Sequence, residues 1–193
     1  MRKAAIFILV LFACQITLAQ TPRLEVFGGY SFLHEPGANF NGWNGAATIN
    51  VYRCVGITAD FSGNYWSRAS GISSLNGQFD IDLHEGVYTY TFGPSLSWRN
   101  KTRFTPFVRF LAGGSHISVK STVRSVTGSG SVDHFTDSVD HFTVVGGGGL
   151  DITLNRRLAI RPVQLDYHGV HSGGWMNSMR YSAGVVFRFG ERK

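Results

Sequence analysis

The stretch RYSAGVVFRFG, at Arg180–Gly190 of this chain of 193 residues, indicates the type of fold. Its apolar side chains recur at every second position, and most of the positions between them hold arginine, serine or glycine. Alternation with a period of two predicts a β-strand with one apolar face. That face points toward a core in a soluble sheet protein and toward lipid in a membrane barrel. Its direction therefore separates two classes of protein.

The same alternation recurs throughout the chain. Seven earlier stretches carry it, at Leu24–Leu33, Trp43–Tyr52, Val55–Trp66, Val87–Trp98, Arg103–His116, Phe142–Leu154 and Leu158–Gly169. With the closing stretch they predict eight strands of about ten residues, the length that crosses a membrane at a tilt. No helical periodicity separates the strands.

The predicted connections alternate strictly in length. Tight, basic turns are expected around Arg53–Cys54, Arg99–Thr102 and Asn155–Arg157. Longer loops rich in Gly, Ser and Asn are expected around Glu35–Asn41, Ser67–Glu85, Ser121–Asp140 and Ser172–Met179. Strands that run up and down in sequence order place all the long loops at one end and all the turns at the other.

Charges on the polar faces indicate which way the apolar faces point. Six charged residues on these faces are of most interest: Glu25, Asp60, Arg109, Asp151, Asp166 and Arg188. A charge that faces lipid costs about 2–4 kcal/mol, whereas opposite charges can pair inside a narrow lumen. We therefore predict an all-β fold, an eight-stranded antiparallel up-and-down transmembrane β-barrel. A soluble lipocalin-type barrel, with an apolar lumen, is the alternative.

The six charges have two interpretations. They form either a proton or ion path or a structural network of salt bridges. We favour the network, because the interior of an eight-stranded barrel is just wide enough for side chains to fill. Aromatic side chains near the strand ends are typical of two girdles at the membrane interfaces. They lie at Trp43, Tyr65 and Trp66 near the loops and at Trp98, Phe104, Phe187 and Phe189 near the turns.

The N-terminus has the features of a secretory signal. Arg2 and Lys3 precede a short apolar run, and small residues favour cleavage after Ala19. We expect a signal peptide over residues 1–19, a barrel domain over 20–190 and a short extension over 191–193. Loss of the two basic residues lowers the formal charge from +6 to +4, which gives no case for nucleic-acid binding.

On these residues the chain resembles the OmpA-like family of eight-stranded outer-membrane β-barrels, from about Leu24 to Gly190. The most specific likeness is the family's assembly signal in the last strand, here Ser182, Gly184, Phe187 and Phe189. The resemblance implies insertion into a Gram-negative outer membrane by the barrel assembly machinery. It also implies contact with outer-membrane lipid and lipopolysaccharide, and a monomer. The family usually ends on the terminal aromatic residue, whereas this chain continues to Lys193.

The expected function is that of an integral outer-membrane protein with a plugged polar lumen. It would serve envelope structure or surface interaction through the loops at Ser67–Glu85 and Ser121–Asp140, without catalytic residues, cofactor or metal. Two alternatives stay open: a lipid A-modifying hydrolase using His116 and Ser118, which share a strand face, and a small-solute channel. A tandem repeat, Ser131–Asp137 then Ser138–Val144, duplicates an Asp-His pair. We interpret it as a lengthened hairpin rather than a metal site.

Overall fold

The chain forms a closed antiparallel β-barrel in which each strand pairs with its neighbours in sequence and β1 pairs with β8. The computed structural model describes residues 21–35, 37–74, 77–99, 102–125, 132–171 and 173–191. Across these ranges the eight strands are β1 (Pro22–Glu35), β2 (Ala38–Asn50), β3 (Val55–Ser74), β4 (Gly77–Ser97), β5 (Phe104–Ser125), β6 (Val132–Thr153), β7 (Leu158–His171) and β8 (Trp175–Glu191). The predicted fold class is confirmed.

The prediction of long loops was wrong, because most residues of these segments lie in strands. β3 and β4 stay paired from Val55 with Leu96 as far as Ser74 with Gly77. β5 and β6 likewise pair from Phe104 with Ile152 to Arg124 with Val132. The Ser- and Gly-rich segments predicted as loops are therefore strands. Hydrogen bonding between the two arms of each hairpin outweighs the weak strand propensity of these residues.

The short turns lie where they were predicted. Residues 51–54, 98–99 with 102–103, and 154–157 lie between the strands at one end, which we call the turn end. The opposite end, where β3–β4 and β5–β6 extend furthest, is the hairpin end. The predicted signal peptide lies outside the described residues, and β8 runs one residue into the predicted extension. In the described part of the chain, no helix is long and apolar enough to cross a membrane.

The two faces of the wall differ in chemistry. On β3, Ile57 and Phe61 are more than half exposed on the outside, whereas Thr58, Asp60 and Ser62 are buried. The same alternation holds for Phe92 and Phe110, which are 68% and 61% exposed. Because alternate side chains of a strand point to opposite faces, the apolar set faces outward and the polar set faces inward. The apolar face of the last strand therefore points outward as well, with Phe187 and Phe189 exposed.

Aromatic side chains mark both ends of the outer face. Tyr30, Trp43, Tyr65 and Tyr88 are exposed toward the hairpin end, and we call them the outer girdle. Phe104, Phe187 and Phe189, each about half exposed, lie toward the turn end. The prediction for Trp66 was wrong. Consecutive strand residues face opposite sides, so Trp66 points inward beside Tyr65 and packs near Phe40 with ring centroids 6.3 Å apart.

A bulge interrupts β7 at Pro162. The register of β7 with β8 shifts between Arg161 and Gln164. Proline has no N–H to donate to the ladder, so it is accommodated at such irregularities. On the outer face, the Tyr181 hydroxyl donates to the Pro162 carbonyl oxygen at 2.8 Å. The shift keeps Arg161, Gln164 and Asp166 all buried.

Candidate functional site: a charge network across the lumen

Two aspartates and two arginines meet in the middle of the barrel. Asp60 on β3, Arg109 on β5, Asp166 on β7 and Arg180 on β8 come from strands around the whole wall, so their contacts cross the lumen. Asp60, Asp166 and Arg180 have no exposed surface, and Arg109 is 5% exposed. We call these four residues the central network. Its formal charges cancel.

Each arginine of the central network bridges both aspartates. Arg109 Nη1 lies 2.8 Å from Asp60 Oδ2, and Arg109 Nη2 lies 2.8 Å from Asp166 Oδ2. Arg180 Nη2 lies 2.8 Å from Asp60 Oδ1 and 3.0 Å from Asp166 Oδ2. The planar guanidinium group suits such double contacts with carboxylates. A buried network of this kind is favourable only while every charge keeps its partner.

Neutral side chains complete the central network. Asn44 donates to Asp60 Oδ2 at 3.0 Å, and Arg180 donates to the Ser62 hydroxyl at 2.7 Å. Gln164 donates to Asp166 Oδ2 at 2.9 Å and to Asn44 Oδ1 at 3.2 Å. These bonds extend the network to β2 and fill the cross-section of the lumen with side chains that are bonded to one another.

A second group of charges lies toward the turn end. Arg99 and Arg188 both donate to Glu25, with N···O distances of 2.6 and 2.9 Å. Arg161 pairs with Asp151 at 2.6 Å, and its guanidinium lies over the rings of Phe27 and Phe107. We call these five charged residues the lower network. Arg161 also donates to Gln164 at 2.8 Å, which joins the lower network to the central one.

All six charges singled out in the sequence lie inside the barrel, divided between the two networks. The structure adds Arg180, Arg161 and Arg99, which sequence reasoning did not include. Arg180 lies on the polar face of the last strand together with Arg188, so the alternation alone could have found it. The bulge determines which way Arg161 faces. Arg99 lies in a turn and folds back toward Glu25.

Gly147 makes room for the central network. On β6 it pairs with Arg109 on one side and with Asp166 on the other. A Cβ at this position would lie 2.2 Å from Asp166 Oδ1 and 2.4 Å from the Leu165 carbonyl oxygen. Gly149, two residues further along β6, makes room in the same way, since a Cβ there would lie 2.9 Å from Phe107 Cζ. The atoms that occupy the space belong to Asp166 and Phe107.

The residues of the predicted assembly signal lie on β8, which closes the barrel by pairing with both β1 and β7. Ser182 is fully buried, whereas Phe187 and Phe189 are exposed on the outer face. The tandem repeat lies within β6, apart from its first residue, which is outside the described ranges. Among the described residues, no group of three or more His, Cys, Asp or Glu side chains could hold a metal ion.

His116 takes part in a contact that the sequence did not predict. Its Nδ1 lies 2.9 Å from Asp140 Oδ1 on the neighbouring strand, and both side chains are exposed to solvent. A carboxylate in this position can orient an imidazole ring. Ser118 lies two residues further along β5, on the same face, and no hydrogen bond joins it to His116 in the described part of the chain.

Solved structures with the same fold come from bacterial outer-membrane proteins. Ail, the attachment invasion locus protein of Yersinia pestis, is 18% identical with a TM-score of 0.54, covering 88% of this chain and 99% of that one. Ail in complex with the heparin analogue sucrose octasulfate gives 17% identity, a TM-score of 0.54, and coverage of 89% and 100%. The outer membrane protein OprG from Pseudomonas aeruginosa is 11% identical with a TM-score of 0.52, covering 88% of this chain and 97% of that one.

These likenesses show the fold: an eight-stranded barrel of the OmpA-like type, as the resemblance in the last strand implied. No protein-family model matches the sequence, and no curated protein matches it either.

Proposed function

We propose that the protein is an integral outer-membrane barrel with a closed lumen, which acts at the cell surface through the sheet at its hairpin end. The hairpin end faces the outside of the cell and the turn end faces the periplasm. The chain contacts outer-membrane lipid and lipopolysaccharide, and the barrel assembly machinery inserts it as a monomer. The observation that carries the proposal is the central network, buried within a wall whose outer face is apolar.

The central network supports a closed lumen. Its side chains reach across the barrel from β2, β3, β5, β7 and β8 and bond to one another. An ion crossing this region would have to break buried salt bridges. We therefore expect no stepwise conductance from the purified protein in planar bilayers. Steps in the wild-type current would contradict closure and favour the small-solute channel.

The hairpin end supports a role in surface contact. There β3, β4, β5 and β6 continue as a four-stranded sheet, because β2 pairs with β3 only as far as Tyr65 and β7 pairs with β6 only from Phe142. Within the described pairings, residues 66–74 of β3 and 132–141 of β6 are therefore edges. Each has about nine residues, or roughly 30 Å, of main chain without a neighbour on one side. Such edges can pair with an added strand.

The charge of these hairpins favours a partner that is not a polyanion. Residues 65–87 and 116–142 contain six Asp and Glu against three Lys and Arg. Ail was solved with a sulfated heparin analogue, but an excess of carboxylates repels sulfate groups. We expect the barrel in phosphatidylcholine nanodiscs to bind polylysine and not heparin, and to lose this binding when both hairpins are shortened to the level of Tyr65. Binding to heparin would contradict the charge argument.

A lipid A-modifying hydrolase is a second candidate function, favoured by the contact between His116 and Asp140. An imidazole held by a carboxylate is the base that a serine nucleophile needs. Mass spectrometry of lipid A from cells that express the protein tests this candidate. A change in lipid A that disappears in His116→Ala and persists in Thr136→Ala would support the hydrolase over the non-enzymatic proposal.

A further inference from the structure

A cavity opens at the hairpin end of the barrel, above the central network. Its volume is about 410 Å³. Thr89, Ser115 and His168 form its polar floor, next to the central network. The walls are apolar side chains one step further along the strands, at Leu33, Val87, Ile117 and Val170. Glu35 and Trp175 lie at the rim, where β1 ends and β8 begins.

His168 provides an unused polar group at the floor. The side chain is 3% exposed, and its Nε2 has no hydrogen-bond partner among the described residues. The neighbouring hydroxyl groups are already engaged, because Thr143 donates to Ser115 at 2.8 Å and Ser115 lies 3.1 Å from the Thr89 hydroxyl. Buried polar groups in proteins are nearly always paired. An unpaired nitrogen in a cavity wall therefore points to a ligand with a hydrogen-bonding group.

Glu35 provides a negative charge at the rim. It is half-buried, and within the described ranges no cationic side chain pairs with it. Burial, and secondarily the negative charge of Glu85, raises the pKa of the Glu35 carboxyl above its ordinary value. Burial raises the pKa of Glu85 as well. With no basic partner for Glu35 among the described residues and the charge of Glu85 nearby, the rim is complementary to a cation.

We propose that this cavity binds a small organic cation with an apolar body. The ammonium group pairs with Glu35 and lies near the Trp175 ring. The apolar body packs between the walls, and a hydroxyl at its far end bonds to His168 Nε2. A hydroxyl serves both tautomers of the imidazole, because it can donate or accept. One layer of wall side chains separates the floor from the rim, so the ligand is about as long as one aromatic ring with a short chain.

The charge at the rim decides against other occupants of similar size. A fatty acid with its carboxylate at the rim would place two negative charges side by side, and one with its carboxylate at the floor would cover Glu35 with an alkyl chain and leave it without a cation. A neutral hydrocarbon would leave Glu35 and His168 without partners. The cation satisfies both polar groups and covers the apolar walls at once. The site is separate from the edges of the projecting sheet, so it can exist whether or not those edges bind a partner.

The probe for this site is tyramine, which has an ammonium group, an aromatic ring and a hydroxyl in the required order. Its affinity for the barrel in phosphatidylcholine nanodiscs can be measured by calorimetry. We expect Glu35→Gln to weaken binding about tenfold, as loss of a hydrogen bond to a charged group does. Asp137→Asn, which removes an exposed carboxylate on β6, should leave the affinity unchanged.

Two related compounds test the ends of the ligand separately. 4-Ethylphenol lacks the ammonium group and should bind about tenfold more weakly than tyramine. Phenylethylammonium lacks the hydroxyl and should also bind more weakly. His168→Leu should remove the difference between tyramine and phenylethylammonium, an effect that a purely structural role of His168 would not produce. A difference in gel mobility between the unboiled and the boiled protein in detergent establishes that each variant is folded.

Several results would overturn the proposal. One is failure of tyramine to bind the folded barrel, and another is equal affinity for 4-ethylphenol and tyramine. Unchanged affinity in Glu35→Gln would also exclude the ion pair. Finally, displacement of tyramine by an equimolar amount of Ca²⁺, lost in Glu35→Gln, would identify the site as a metal site between Glu35 and Glu85 instead.

Discussion

Arg109 on β5 and Asp166 on β7 form a doubly hydrogen-bonded pair across the strand that lies between them. Arg109 Nε lies 3.0 Å from Asp166 Oδ1, and Arg109 Nη2 lies 2.8 Å from Asp166 Oδ2. The residue between them on β6 is Gly147, which pairs with both. Because Gly147 has no side chain, the two charges can meet over the backbone of β6.

Gly147→Ala should therefore destabilise the barrel. The new Cβ would collide with Asp166 and with the Leu165 carbonyl oxygen. We expect the free energy of unfolding in urea and detergent to fall by about 3 kcal/mol, the range for overpacking combined with a disturbed buried ion pair. Gly146→Ala is the matched control, since a Cβ there has only a side-chain atom of Phe110 within 4.0 Å. An equal decrease in the free energy of unfolding of both variants would contradict this explanation.

Removal of one charge from the central network should lower the free energy of unfolding more than removal of two opposite charges together. Arg180→Met leaves Asp60 and Asp166 with only Arg109, and we expect a loss of about 3–5 kcal/mol in the free energy of unfolding. Asp60→Asn combined with Arg180→Gln keeps the network neutral and should lose less than Arg180→Met alone. Lys120→Met, on an exposed position of β5, should have little effect. The network would not be the stabilising unit if the double variant lost as much free energy of unfolding as Arg180→Met.

The assembly signal should act in the cell and not in detergent. Phe189→Ala removes an exposed aromatic side chain from the last strand, and we expect several-fold less folded protein in the outer membrane. Refolding of the purified variant into detergent should change little, because the assembly machinery takes no part there. Phe92→Ala, another exposed aromatic on the outer face, is the control for lost lipid contact. Equal losses of folded protein from the outer membrane in Phe189→Ala and Phe92→Ala would contradict the role of the signal.

Stability should fall with rising pH because of Glu35. Its pKa in the folded state lies above the ordinary value of 4.5, since burial and the charge of Glu85 disfavour ionisation. The folded state therefore holds a proton that the unfolded state releases. Stability from this group is complete below pH 4.5 and is lost as pH rises through the folded pKa. Glu35→Gln should unfold at a higher temperature than wild type at neutral pH, and the difference should shrink toward pH 4.5. A constant difference would mean that the carboxyl does not titrate in this way.

Much of the fold could be predicted from the sequence because the barrel wall depends on side-chain alternation. Asp60 lies between Ala59 and Phe61, and that local pattern alone fixes its direction once the apolar face points outward. The turns could be placed for a similar reason, since short basic segments such as Asn155–Arg157 interrupt the alternation.

Other features depend on contacts distant in sequence. The arginine partners of Asp60 are 49 and 120 residues away, at Arg109 and Arg180, so no local pattern indicates the ion pairs. Arg161 faces inward because a bulge changes the register of β7 beside it. The projecting hairpins were missed because Ser and Gly dominate segments whose strand structure comes from pairing with the opposite arm.

The cavity at the hairpin end could not be predicted for the same reason. Glu35 and His168 are contributed by β1 and β7, and the strand between them in the barrel, β8, contributes Trp175. Only closure of the barrel brings the three side chains to one cavity.

We expect the apolar faces of the strands to lie in a membrane while the charges point into the lumen. The decisive experiment is the gel mobility of the outer-membrane fraction, with and without boiling in detergent. A closed barrel resists detergent at room temperature, so we expect the unboiled protein to be found in this fraction and to run at a different apparent mass from the boiled chain. A protein recovered in soluble form from the periplasm, with the same mobility before and after boiling, would contradict it.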